Sequence, residues 1–435
     1  DVCSSDLEWV KVKKVIITPS KLKGSVKIPP SKSMAHRAII CASLSKGESV
    51  ISNIDFSEDI IATMEGMKSL GANIKVEKDK LIINGENILK DSNYKVIDCN
   101  ESGSTLRFLV PISLIKDNRV NFIGRGNLGK RPLKTYYEIF EEQEVKYSYE
   151  EENLDLNIEG SLKGGEFKVK GNISSQFISG LLFTLPLLKE DSKIIITTEL
   201  ESKGYIDLTL DMIEKFGVTI KNNNYREFLI KGNQSYKPMN YKVEGDYSQA
   251  AFYFSAGALG SEINCLDLDL SSYQGDKECI EILEGMGARL IENQEESLSI
   301  IHGDLNGTII DASQCPDIIP VLTVVAALSK GETRIINGER LRIKECDRLN
   351  AICTELNKLG ADIKELKDGL IIKGVKELIG GEVYSHKDHR IAMSLAIAST
   401  RCKEEVIISE PDCVKKSYPG FWEDFKSLGG ILREE

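Results

Sequence analysis

The densest group of ionisable side chains in the sequence lies at residues 340–348 and precedes an amphipathic stretch. Six of these nine residues are charged, and Lys344 and Arg348 are four positions apart. We expect both cations on one face of a helix, where they repel each other unless an anion or a carboxylate lies between them. Glu345 lies beside them and could donate or accept a proton. The segment therefore indicates an anion site with acid–base function.

A second candidate anion site lies at residues 29–37, where two prolines precede Ser31 and Lys32. We expect the prolines to end a strand, and Ser31 or Ser33 can cap the helix that follows. Because a helix N-terminus attracts negative charge, these hydroxyls would bind an anion together with Lys32 and Arg37. A capped helix at the protein surface explains the same residues equally well.

Three further segments place small or polar residues ahead of apolar stretches. They are residues 100–107 with Gly103, residues 172–179 with Ser174, Ser175 and Gln176, and residues 202–205 with Ser202 and Tyr205. Backbone N–H groups beside a glycine, and side-chain hydroxyls, can approach a ligand closely. An ordinary polar turn or helix cap is the alternative in each case.

Residues 124–132 have the glycine and lysine spacing of a nucleotide-binding loop. Such a loop needs Ser or Thr after the lysine to bind magnesium, and Arg131 stands there instead. We therefore predict a mobile basic loop that offers Lys130 and Arg131 to an anion.

Single residues give weaker signals. Asp317 precedes the apolar stretch 318–328, and the dipole of a helix there would favour a carboxylate in its first turn. His386 and His389 are close in sequence but have no companion ligands nearby, so no metal site is predicted.

The charged segments lie between the copies of a unit that recurs about every 72 residues. In each copy an amphipathic stretch runs into a pivot residue and a short alternating stretch follows, which predicts a helix, a left-handed helix end and a strand. The pivots are Gly71, Gln143, Gly217, Gly287, Gly360 and Gly429. The unit is longer than the roughly 20–50 residues of a solenoid repeat, so six units predict two compact domains of three units each. If the helices point inward, the charged segments converge on one cleft.

The composition is that of a globular protein, with 435 residues, 41% hydrophobic and 28% charged. No apolar run approaches the roughly 20 residues of a membrane span, and the net charge of −11 disfavours nonspecific binding to nucleic acid. Ten cysteines without a Cys-x-x-Cys pair predict reduced, buried thiols in a cytoplasmic protein. Residues 1–12 lack the order of a signal peptide, and we predict a disordered or foreign extension there.

Beyond these patterns, the chain resembles the 5-enolpyruvylshikimate-3-phosphate synthase family from about residue 14 to the last residue. The resemblance rests on motifs in the same order along the chain. They are Ser31-Lys32-Ser33 with Arg37, Gly103 with Arg107, Arg131-Pro132, Ser174-Ser175-Gln176, Ser202 with Tyr205, Pro316-Asp317, Lys344-Glu345 with Asp347-Arg348, Asp388-His389-Arg390, and Lys416 before Tyr418-Pro419.

The resemblance implies an α/β fold, specifically a two-domain inside-out α/β barrel with three βαβαββ-type repeats in each domain. Residues 13–30 and 246–435 would form domain A, and residues 31–245 would form domain B. The active site would lie in the interdomain cleft. Because so many cations would repel one another in an empty cleft, we expect the domains to stand apart without ligands and to close around them.

The implied reaction transfers the carboxyvinyl group of phosphoenolpyruvate to the 5-hydroxyl of shikimate 3-phosphate and releases phosphate. The resemblance implies no cofactor and no metal, a monomer, two small anionic substrates, and neither nucleic acid nor membrane as a partner. Asp317 would be the base for the hydroxyl, and Glu345 the acid that protonates the vinyl carbon, with Lys32 or His389 assisting.

The resemblance also assigns the residues that bind each substrate. Shikimate 3-phosphate would be held by Lys32, Ser33, Arg37, Ser174, Ser175, Gln176, Ser202, Tyr205, Asp317, Arg340 and Lys344. Phosphoenolpyruvate would be held by Lys32, Gly103, Arg131, Gln176, Arg348, His389, Arg390 and Lys416.

The sequence departs from the family pattern at three positions. Glu101 and Arg340 stand where many members have Asn, and Phe108 stands where many have Pro. Glu101 places a negative charge near an anion site, so we expect it to alter the affinity for phosphoenolpyruvate.

Two alternative functions fit part of the pattern. The sister enzyme that acts on UDP-N-acetylglucosamine usually carries a Cys in the basic loop, but no Cys lies between Cys99 and Cys265 here. A non-catalytic anion-binding or RNA-end-processing relative would not need both Asp317 and Glu345 among its cations. Both alternatives are therefore disfavoured by particular residues.

Overall fold

The computed structural model describes residues 13–90, 94–150, 154–293 and 297–435. The extension predicted at residues 1–12 lies outside the described residues. The strands are β1 (Lys14–Thr18), β2 (Lys23–Lys27), β3 (Glu48–Ser52), β4 (Asn73–Glu77), β5 (Lys80–Asn84), β6 (Lys95–Asp98), β7 (Asn118–Ile123), β8 (Lys146–Glu150), β9 (Asp155–Gly160), β10 (Glu166–Val169), β11 (Ser192–Ile196), β12 (Ile220–Asn223), β13 (Glu227–Ile230), β14 (Tyr241–Lys242), β15 (Glu262–Leu266), β16 (Arg289–Asn293), β17 (Ser297–Ile301), β18 (Ile309–Asp311), β19 (Glu332–Ile336), β20 (Asp362–Leu366), β21 (Gly369–Lys373), β22 (Gly381–Tyr384), β23 (Val406–Ser409) and β24 (Ile431–Glu434).

The helices are α1 (Lys32–Leu44), α2 (Glu58–Ser69), α3 (Gly103–Ser113), α4 (Lys134–Glu142), α5 (Ser175–Thr184), α6 (Lys203–Lys215), α7 (Tyr247–Ala258), α8 (Glu278–Met286), α9 (Ile319–Ala327), α10 (Arg348–Lys358), α11 (His389–Ser399) and α12 (Phe421–Ser427). Short 3₁₀ segments occupy Leu128–Lys130, Leu185–Leu187, Gly275–Lys277, Glu339–Ile343 and Pro411–Lys416.

The strands form six sheets of four strands each, and all six follow one plan. Their orders are β14-β3-β5-β4, β6-β7-β9-β8, β10-β11-β13-β12, β2-β15-β17-β16, β18-β19-β21-β20 and β22-β23-β1-β24. In each sheet the first two strands are parallel and the remaining pairs are antiparallel, as β6, β7, β8 and β9 illustrate. The prediction of an α/β fold with a six-fold internal repeat is therefore confirmed.

Three of the six units take one strand from a distant part of the chain. β2 pairs in parallel with β15 and is the first strand of the sheet in the fourth unit. β1 lies between β23 and β24 in the sheet of the sixth unit. β14 pairs in parallel with β3 and opens the first unit. Because of this exchange, the first residues of the described chain pack with the second half of the sequence.

Each predicted pivot lies between a helix and the strand that follows it. The five glycine pivots all have positive φ, as at Gly360, where φ is 94°. In the second unit, which has lost its glycine, the positive φ of 58° is taken by Glu144, one residue after Gln143. The left-handed helix ends expected at the glycine pivots are thus confirmed, and only the degenerate copy places this conformation on a residue that bears a Cβ.

The first helix of each unit lies inside the molecule and the sheets lie at its surface. Every residue of α7, α9 and α11 is buried, so these helices are enclosed by protein on all sides. Strands such as β3 and β19 instead alternate between buried and exposed residues, which leaves one face of each sheet in solvent.

The buried hydrophobic side chains form two separate clusters. One cluster draws on residues 15–28 and 247–428, and the other on residues 34–243. The chain passes between them at two adjacent points, where Pro30 and Gly245 form an isolated β-bridge. The cleft described below is lined by residues from both sides of this crossing.

Candidate functional site

The predicted site residues meet in one cleft. Its lining contains Lys32, Ser33, Arg37, Gly103, Arg131, Ser174, Ser175, Gln176, Tyr205, Asp317, Arg340, Lys344, Glu345, Arg348, His389 and Arg390. Ser202 and Lys416 lie behind the lining, where Ser202 accepts a hydrogen bond from Arg340 and Lys416 donates one to Glu101. The structure therefore brings together segments that the sequence separates by hundreds of residues.

Capped helix starts build much of the cleft. The side chains of Ser31, Ser102, Ser174, Asp347 and Asp388 accept hydrogen bonds from backbone N–H groups at the starts of α1, α3, α5, α10 and α11. Helix dipoles add positive charge to the same space as the cationic side chains, which makes the cleft a strong site for anions.

Gly103, the first residue of α3, allows a close approach that another residue would block. A Cβ atom on Gly103 would lie 2.5 Å from Nη1 of Arg131 and 3.1 Å from Nη1 of Arg107. The absence of a side chain at this position therefore lets two guanidinium groups lie against the helix start.

Asp317 is surrounded by three cations. Lys344 Nζ lies 3.3 Å and Arg348 Nη1 lies 2.9 Å from Oδ1, while Arg390 Nη2 lies 3.5 Å from Oδ2. Burial favours the neutral carboxyl, but these cations outweigh it and hold the pKa of Asp317 well below its usual value. An ionised carboxylate can accept a proton from a hydroxyl group, although the same cations make it a weaker base.

Two local expectations about this cluster are wrong. Lys344 and Arg348 do not share a helix face, because Lys344 is extended with φ −86° and ψ −151°, and α10 begins only at Arg348. Asp317 does not lie in a first helical turn, because α9 begins at Ile319. The two cations nevertheless converge on one carboxylate, as their mutual repulsion requires.

Glu345 is another carboxylate that lines the cleft. Its Oε1 lies 2.9 Å from Arg131 Nη2 and 3.9 Å from Lys416 Nζ, and its Oε2 accepts a hydrogen bond of 2.7 Å from Arg348. Burial again favours the neutral form, but Arg131, Arg348 and Lys416 hold the pKa of Glu345 well below its usual value. An anion that bound to these cations would offset part of this effect.

His389 lies in the same part of the cleft. Burial and the charge of Lys32 hold its pKa well below the usual range, so the imidazole is neutral. Neither ring nitrogen has a hydrogen-bond partner among the residues that the structure describes. Both nitrogens are therefore free to contact a ligand or to pass a proton.

Lys32 is held by two carboxylates whose roles were not predicted from the sequence. Its Nζ donates to Asp59 at 2.7 Å, and its backbone N–H donates to Asp246 at 3.0 Å. Asp59 is an acidic residue in the first turn of α2, which looks like an ordinary dipole partner in the sequence. The contact with Lys32 depends on the packing of α1 against α2 and has no local signal.

Three further arginines of the cleft also bond to protein atoms. Arg37 donates to Thr209 Oγ1, to the Ser33 carbonyl and to the Tyr205 carbonyl at 2.7–2.9 Å. Arg340 pairs with Glu201 at 2.9 Å. Arg107 donates to Gln176 Oε1 at 2.8 Å. Arg107 had no predicted role, although it is the last residue of the predicted segment 100–107 and forms a family motif with Gly103.

The basic loop contributes one of its two predicted cations. Arg131 faces the cleft and pairs with Glu345, whereas Lys130 is exposed to solvent. Asn127 of the same loop donates a hydrogen bond of 2.8 Å to the Glu345 carbonyl. The expectation that Lys130 serves the same anion as Arg131 is not met.

The residues that depart from the family pattern have defined surroundings. Glu101 accepts a hydrogen bond of 3.2 Å from Lys416, so it competes with Glu345 for that cation. Phe108 packs edge-on against Phe183, and the guanidinium of Arg37 lies 5.4 Å from the centre of its ring.

Within residues 13–90, 94–150, 154–293 and 297–435, no group of three or more His, Cys, Asp and Glu side chains is arranged to hold a metal ion. In the same ranges, no helix combines the length and the apolar character that crossing a membrane requires. The cysteines described there are free thiols.

Fold and site together define an α/β protein with six small sheets and a cation-rich cleft that contains the carboxylates of Asp317 and Glu345. A family model described as EPSP synthase (3-phosphoshikimate 1-carboxyvinyltransferase) matches residues 16–425. A relative from Clostridium perfringens (strain ATCC 13124), named 3-phosphoshikimate 1-carboxyvinyltransferase, is 99% identical over 424 residues and covers 98% of this chain and 100% of the relative. A relative of the same name from Clostridioides difficile (strain 630) is 65% identical and covers 96% and 98%. The chain therefore belongs to the EPSP synthase (3-phosphoshikimate 1-carboxyvinyltransferase) family.

Solved structures agree with this assignment. The 2.37 Å structure of EPSP synthase from Acinetobacter baumannii superposes with a TM-score of 0.81 at 25% identity and covers 97% of this chain and all of the other. The enolpyruvyl transferase NikO from Streptomyces tendae superposes with a TM-score of 0.78 at 13% identity and covers 98% and 99%, which shows a shared fold. The family resemblance found in the sequence is confirmed.

Proposed function

We propose that this chain transfers the carboxyvinyl group of phosphoenolpyruvate to the 5-hydroxyl of shikimate 3-phosphate and releases phosphate. One observation carries the proposal: Arg348 bonds to both Asp317 and Glu345 in a cleft whose cations hold the pKa of both carboxyl groups well below the usual value. A pure anion-binding site has no use for two carboxylates among its cations, because they repel its ligand. A reaction that moves protons between two anionic substrates does need them.

The substrates match the charge of the cleft. Each carries a phosphate and a carboxylate, and charge-assisted hydrogen bonds to such groups contribute about 1.5–3 kcal/mol each. The proposed ligands of phosphoenolpyruvate are Lys32, Gly103, Arg131, Gln176, Arg348, His389, Arg390 and Lys416. Those of shikimate 3-phosphate are Lys32, Ser33, Arg37, Ser174, Ser175, Gln176, Ser202, Tyr205, Asp317, Arg340 and Lys344.

In the proposed reaction Asp317 takes the proton of the 5-hydroxyl while that oxygen bonds to C2 of phosphoenolpyruvate. Glu345 gives a proton to C3, and the positive charge that develops at C2 is stabilised by the nearby carboxylates. The adduct carries a methyl group and a phosphate on C2. Because the product keeps its double bond, one methyl proton must return to a base and phosphate must leave.

Glu345 has to carry a proton before it can act as the acid. Arg131 and Lys416 lower its pKa, and both are proposed ligands of phosphoenolpyruvate. When the negative groups of this substrate bind the two cations, they offset the positive charge and the pKa of Glu345 rises. Substrate binding would thus prepare the acid, with Lys32 or the neutral His389 assisting the proton transfer.

We also propose that residues 13–30 with 246–435 and residues 31–245 are two domains that close around the substrates. The two separate hydrophobic clusters support this division. Ion pairs between them, such as Arg131 with Glu345 and Arg340 with Glu201, would be replaced in part by contacts to substrate. Small-angle scattering should show a smaller radius of gyration when both substrates are added, and an unchanged radius would contradict domain closure.

The cellular location, the partners, the oligomeric state and the cofactor requirement of the protein are proposals as well. Free cysteines in the described ranges support a cytoplasmic location, and the net charge of −11 supports the absence of nucleic-acid partners. We propose a monomer that works without a cofactor. Size-exclusion chromatography with light scattering, and activity after treatment with a chelator, test these two statements.

The activity is tested by phosphate release from phosphoenolpyruvate. Release should require shikimate 3-phosphate, and UDP-N-acetylglucosamine should not replace it. Phosphate release that does not depend on shikimate 3-phosphate would overturn the proposal.

A further inference from the structure

Asp276 is a buried carboxyl group next to the cleft that has no role in the proposed reaction. It lies in the 3₁₀ segment Gly275–Lys277 ahead of α8, and it is 5% exposed. Its Oδ2 accepts a hydrogen bond of 2.7 Å from the hydroxyl of Tyr205. Its Oδ1 is buried without a hydrogen-bond partner among the described residues. A buried carboxylate in such surroundings is costly, so its protonation state needs an explanation.

The hydroxyl of Tyr205 lies between two carboxyl groups. It is 2.7 Å from Asp276 Oδ2 and 3.0 Å from Asp317 Oδ2. A phenol has one hydrogen, so Tyr205 can donate to only one of them, and an ionised carboxylate has no hydrogen to give. If both carboxyl groups were ionised, one of the two contacts of the Tyr205 oxygen would have no hydrogen, and the lone pairs of two oxygens would face each other. Both contacts are hydrogen bonds only if one of the two carboxyl groups carries a proton.

The proton belongs on Asp276. Asp317 has three cations within ion-pair distance, namely Lys344, Arg348 and Arg390. Among the residues that the structure describes, none forms an ion pair with Asp276. Burial, followed by the negative charge of Asp317, raises the pKa of Asp276 to about 7.

The other groups around Asp276 give the same result. The titratable groups that face it are Tyr205 of α6, Asp246 at the start of α7, Cys279 of α8, Cys315 and Asp317 ahead of α9, and Arg390 of α11. The carboxyl groups of Asp246 and Asp317 disfavour a negative charge on Asp276. Burial raises the pKa of the thiols of Cys279 and Cys315, which keeps both thiols neutral. Arg390 favours ionisation, but its guanidinium donates to the Asp317 carbonyl and to Ser248.

We propose that Asp276 is a neutral carboxylic acid that positions the base Asp317 through the hydroxyl of Tyr205. The Asp276 O–H donates to the Tyr205 oxygen, and the Tyr205 O–H then donates to Asp317. This inference rests on the proposed function, in which Asp317 is the base. When Asp276 loses its proton, it draws the Tyr205 hydrogen away, and the lone pairs of the phenol face the carboxylate of Asp317.

Kinetics as a function of pH separate this role from a merely structural one. In the wild type, kcat should fall as Asp276 ionises above about pH 7. The variant Asp276→Asn keeps a donor to the Tyr205 oxygen that does not titrate, so its kcat should stay close to that of the wild type at pH 6 and lose this alkaline fall. Asp276→Ala removes the donor, and kcat should fall by up to about 100-fold with little change in KM.

Asp207 offers a matched control, because it accepts a hydrogen bond of 2.7 Å from another tyrosine, Tyr225, and does not line the cleft. Asp207→Asn should keep both the kcat and the pH profile of the wild type. The inference is overturned if Asp276→Asn retains the alkaline fall, or if it loses as much activity as Asp276→Ala.

A second readout does not depend on turnover. The infrared spectrum of the wild type at pH 6 should contain a carbonyl band of a protonated carboxylic acid that is missing in Asp276→Asn and present in Asp207→Asn. If the band is the same in all three proteins, Asp276 is ionised and the inference fails. If the wild type shows this band but no phosphate release that requires shikimate 3-phosphate, the proposed function fails and the protonation of Asp276 stands.

Discussion

The guanidinium of Arg131 lies 2.9 Å from the carboxylate of Glu345, and both side chains are nearly buried, with 9% and 13% exposure. Arg131 follows the core residue Leu128 of one hydrophobic cluster, and Glu345 precedes Leu349 of the other. The pair therefore links the basic loop to the proposed acid across the cleft. Because the pair is buried, removing one partner leaves an uncompensated charge.

Replacement of Glu345 should stop the chemistry without unfolding the protein. In Glu345→Gln the amide cannot donate a proton to C3, so kcat should fall by about 10²–10⁴-fold. Glu339→Gln is the control, because Glu339 lies in the preceding 3₁₀ segment with 70% of its side chain exposed. Steady-state kinetics together with circular dichroism check the prediction. A Glu345→Gln enzyme with wild-type turnover would show that this residue is not the acid.

Glu101 should weaken the binding of phosphoenolpyruvate. Its carboxylate lies 3.2 Å from Lys416 Nζ, and it is 39% exposed, so solvent screens the pair. Glu101→Gln frees Lys416 for the substrate and should lower KM for phosphoenolpyruvate by up to about fivefold, which corresponds to about 1 kcal/mol. The effect should shrink in high salt.

Glu58→Gln is the matched control for this change. Glu58 accepts a hydrogen bond from Asn100, the residue before Glu101, and forms no ion pair with Lys416 in the described part of the chain. Its replacement should leave KM unchanged. If Glu101→Gln raises KM at low salt, Glu101 assists binding and the argument from its charge is wrong.

Replacement of Arg340 and replacement of Glu201 should change KM for shikimate 3-phosphate in opposite directions. Arg340→Asn removes a cation from the cleft and should raise KM for this substrate about tenfold, the equivalent of one charge-assisted hydrogen bond of about 1.5 kcal/mol. Glu201→Gln releases Arg340 from its 2.9 Å ion pair and should lower the same KM. Initial rates with varied shikimate 3-phosphate measure both changes. A rise in KM for both variants would contradict the prediction for Glu201, and would mean that the intact ion pair holds Arg340 in position to bind the substrate.

His36 should make the protein less stable in acid. Burial lowers its pKa to about 3, whereas an unfolded histidine titrates near 6.5. Between these values the unfolded chain binds a proton that the folded chain cannot. The free energy of unfolding should therefore fall by up to about 1.4 kcal/mol for each pH unit below about 6.5.

Urea denaturation at several pH values tests this contribution. His36→Gln should reduce the slope of unfolding free energy against pH by that amount. Thr63→Val removes the hydrogen-bond partner of His36, 2.8 Å from its Nδ1, but keeps the imidazole. It should lower stability at every pH and keep the slope. Equal slopes in the wild type and His36→Gln would contradict the prediction.

Much of the scaffold could be predicted from local sequence. The pivots mark every helix end that precedes an antiparallel hairpin, because a left-handed residue is a local requirement that glycine meets at low cost. No local pattern predicted the pairing of β1, β2 and β14 with distant strands, and only the family resemblance placed residues 13–30 with residues 246–435. Strand pairing over such distances depends on the packing of whole units, and no local pattern encodes it.

The site residues also divide into those that could be predicted from the sequence and those that could not. Residues whose charge stands out at helix starts, such as Lys32 and Arg348, were found in sequence and do line the cleft. Asp59 and Asp276 were missed, since a single acidic residue near a helix start has an ordinary explanation. Only the approach of Lys32 to Asp59, and of Tyr205 to Asp276, gives these carboxyl groups a function.

Analysis of the product formed in D₂O tests the central claim most directly. If Glu345 protonates C3 of phosphoenolpyruvate and a methyl hydrogen is then lost, the product should be shikimate 3-phosphate that bears a carboxyvinyl group on its 5-oxygen. Its vinyl CH₂ group should contain deuterium from the solvent, which mass spectrometry and proton NMR detect. A transfer product without deuterium would contradict the proposed protonation, and the absence of any transfer product would contradict the proposed function.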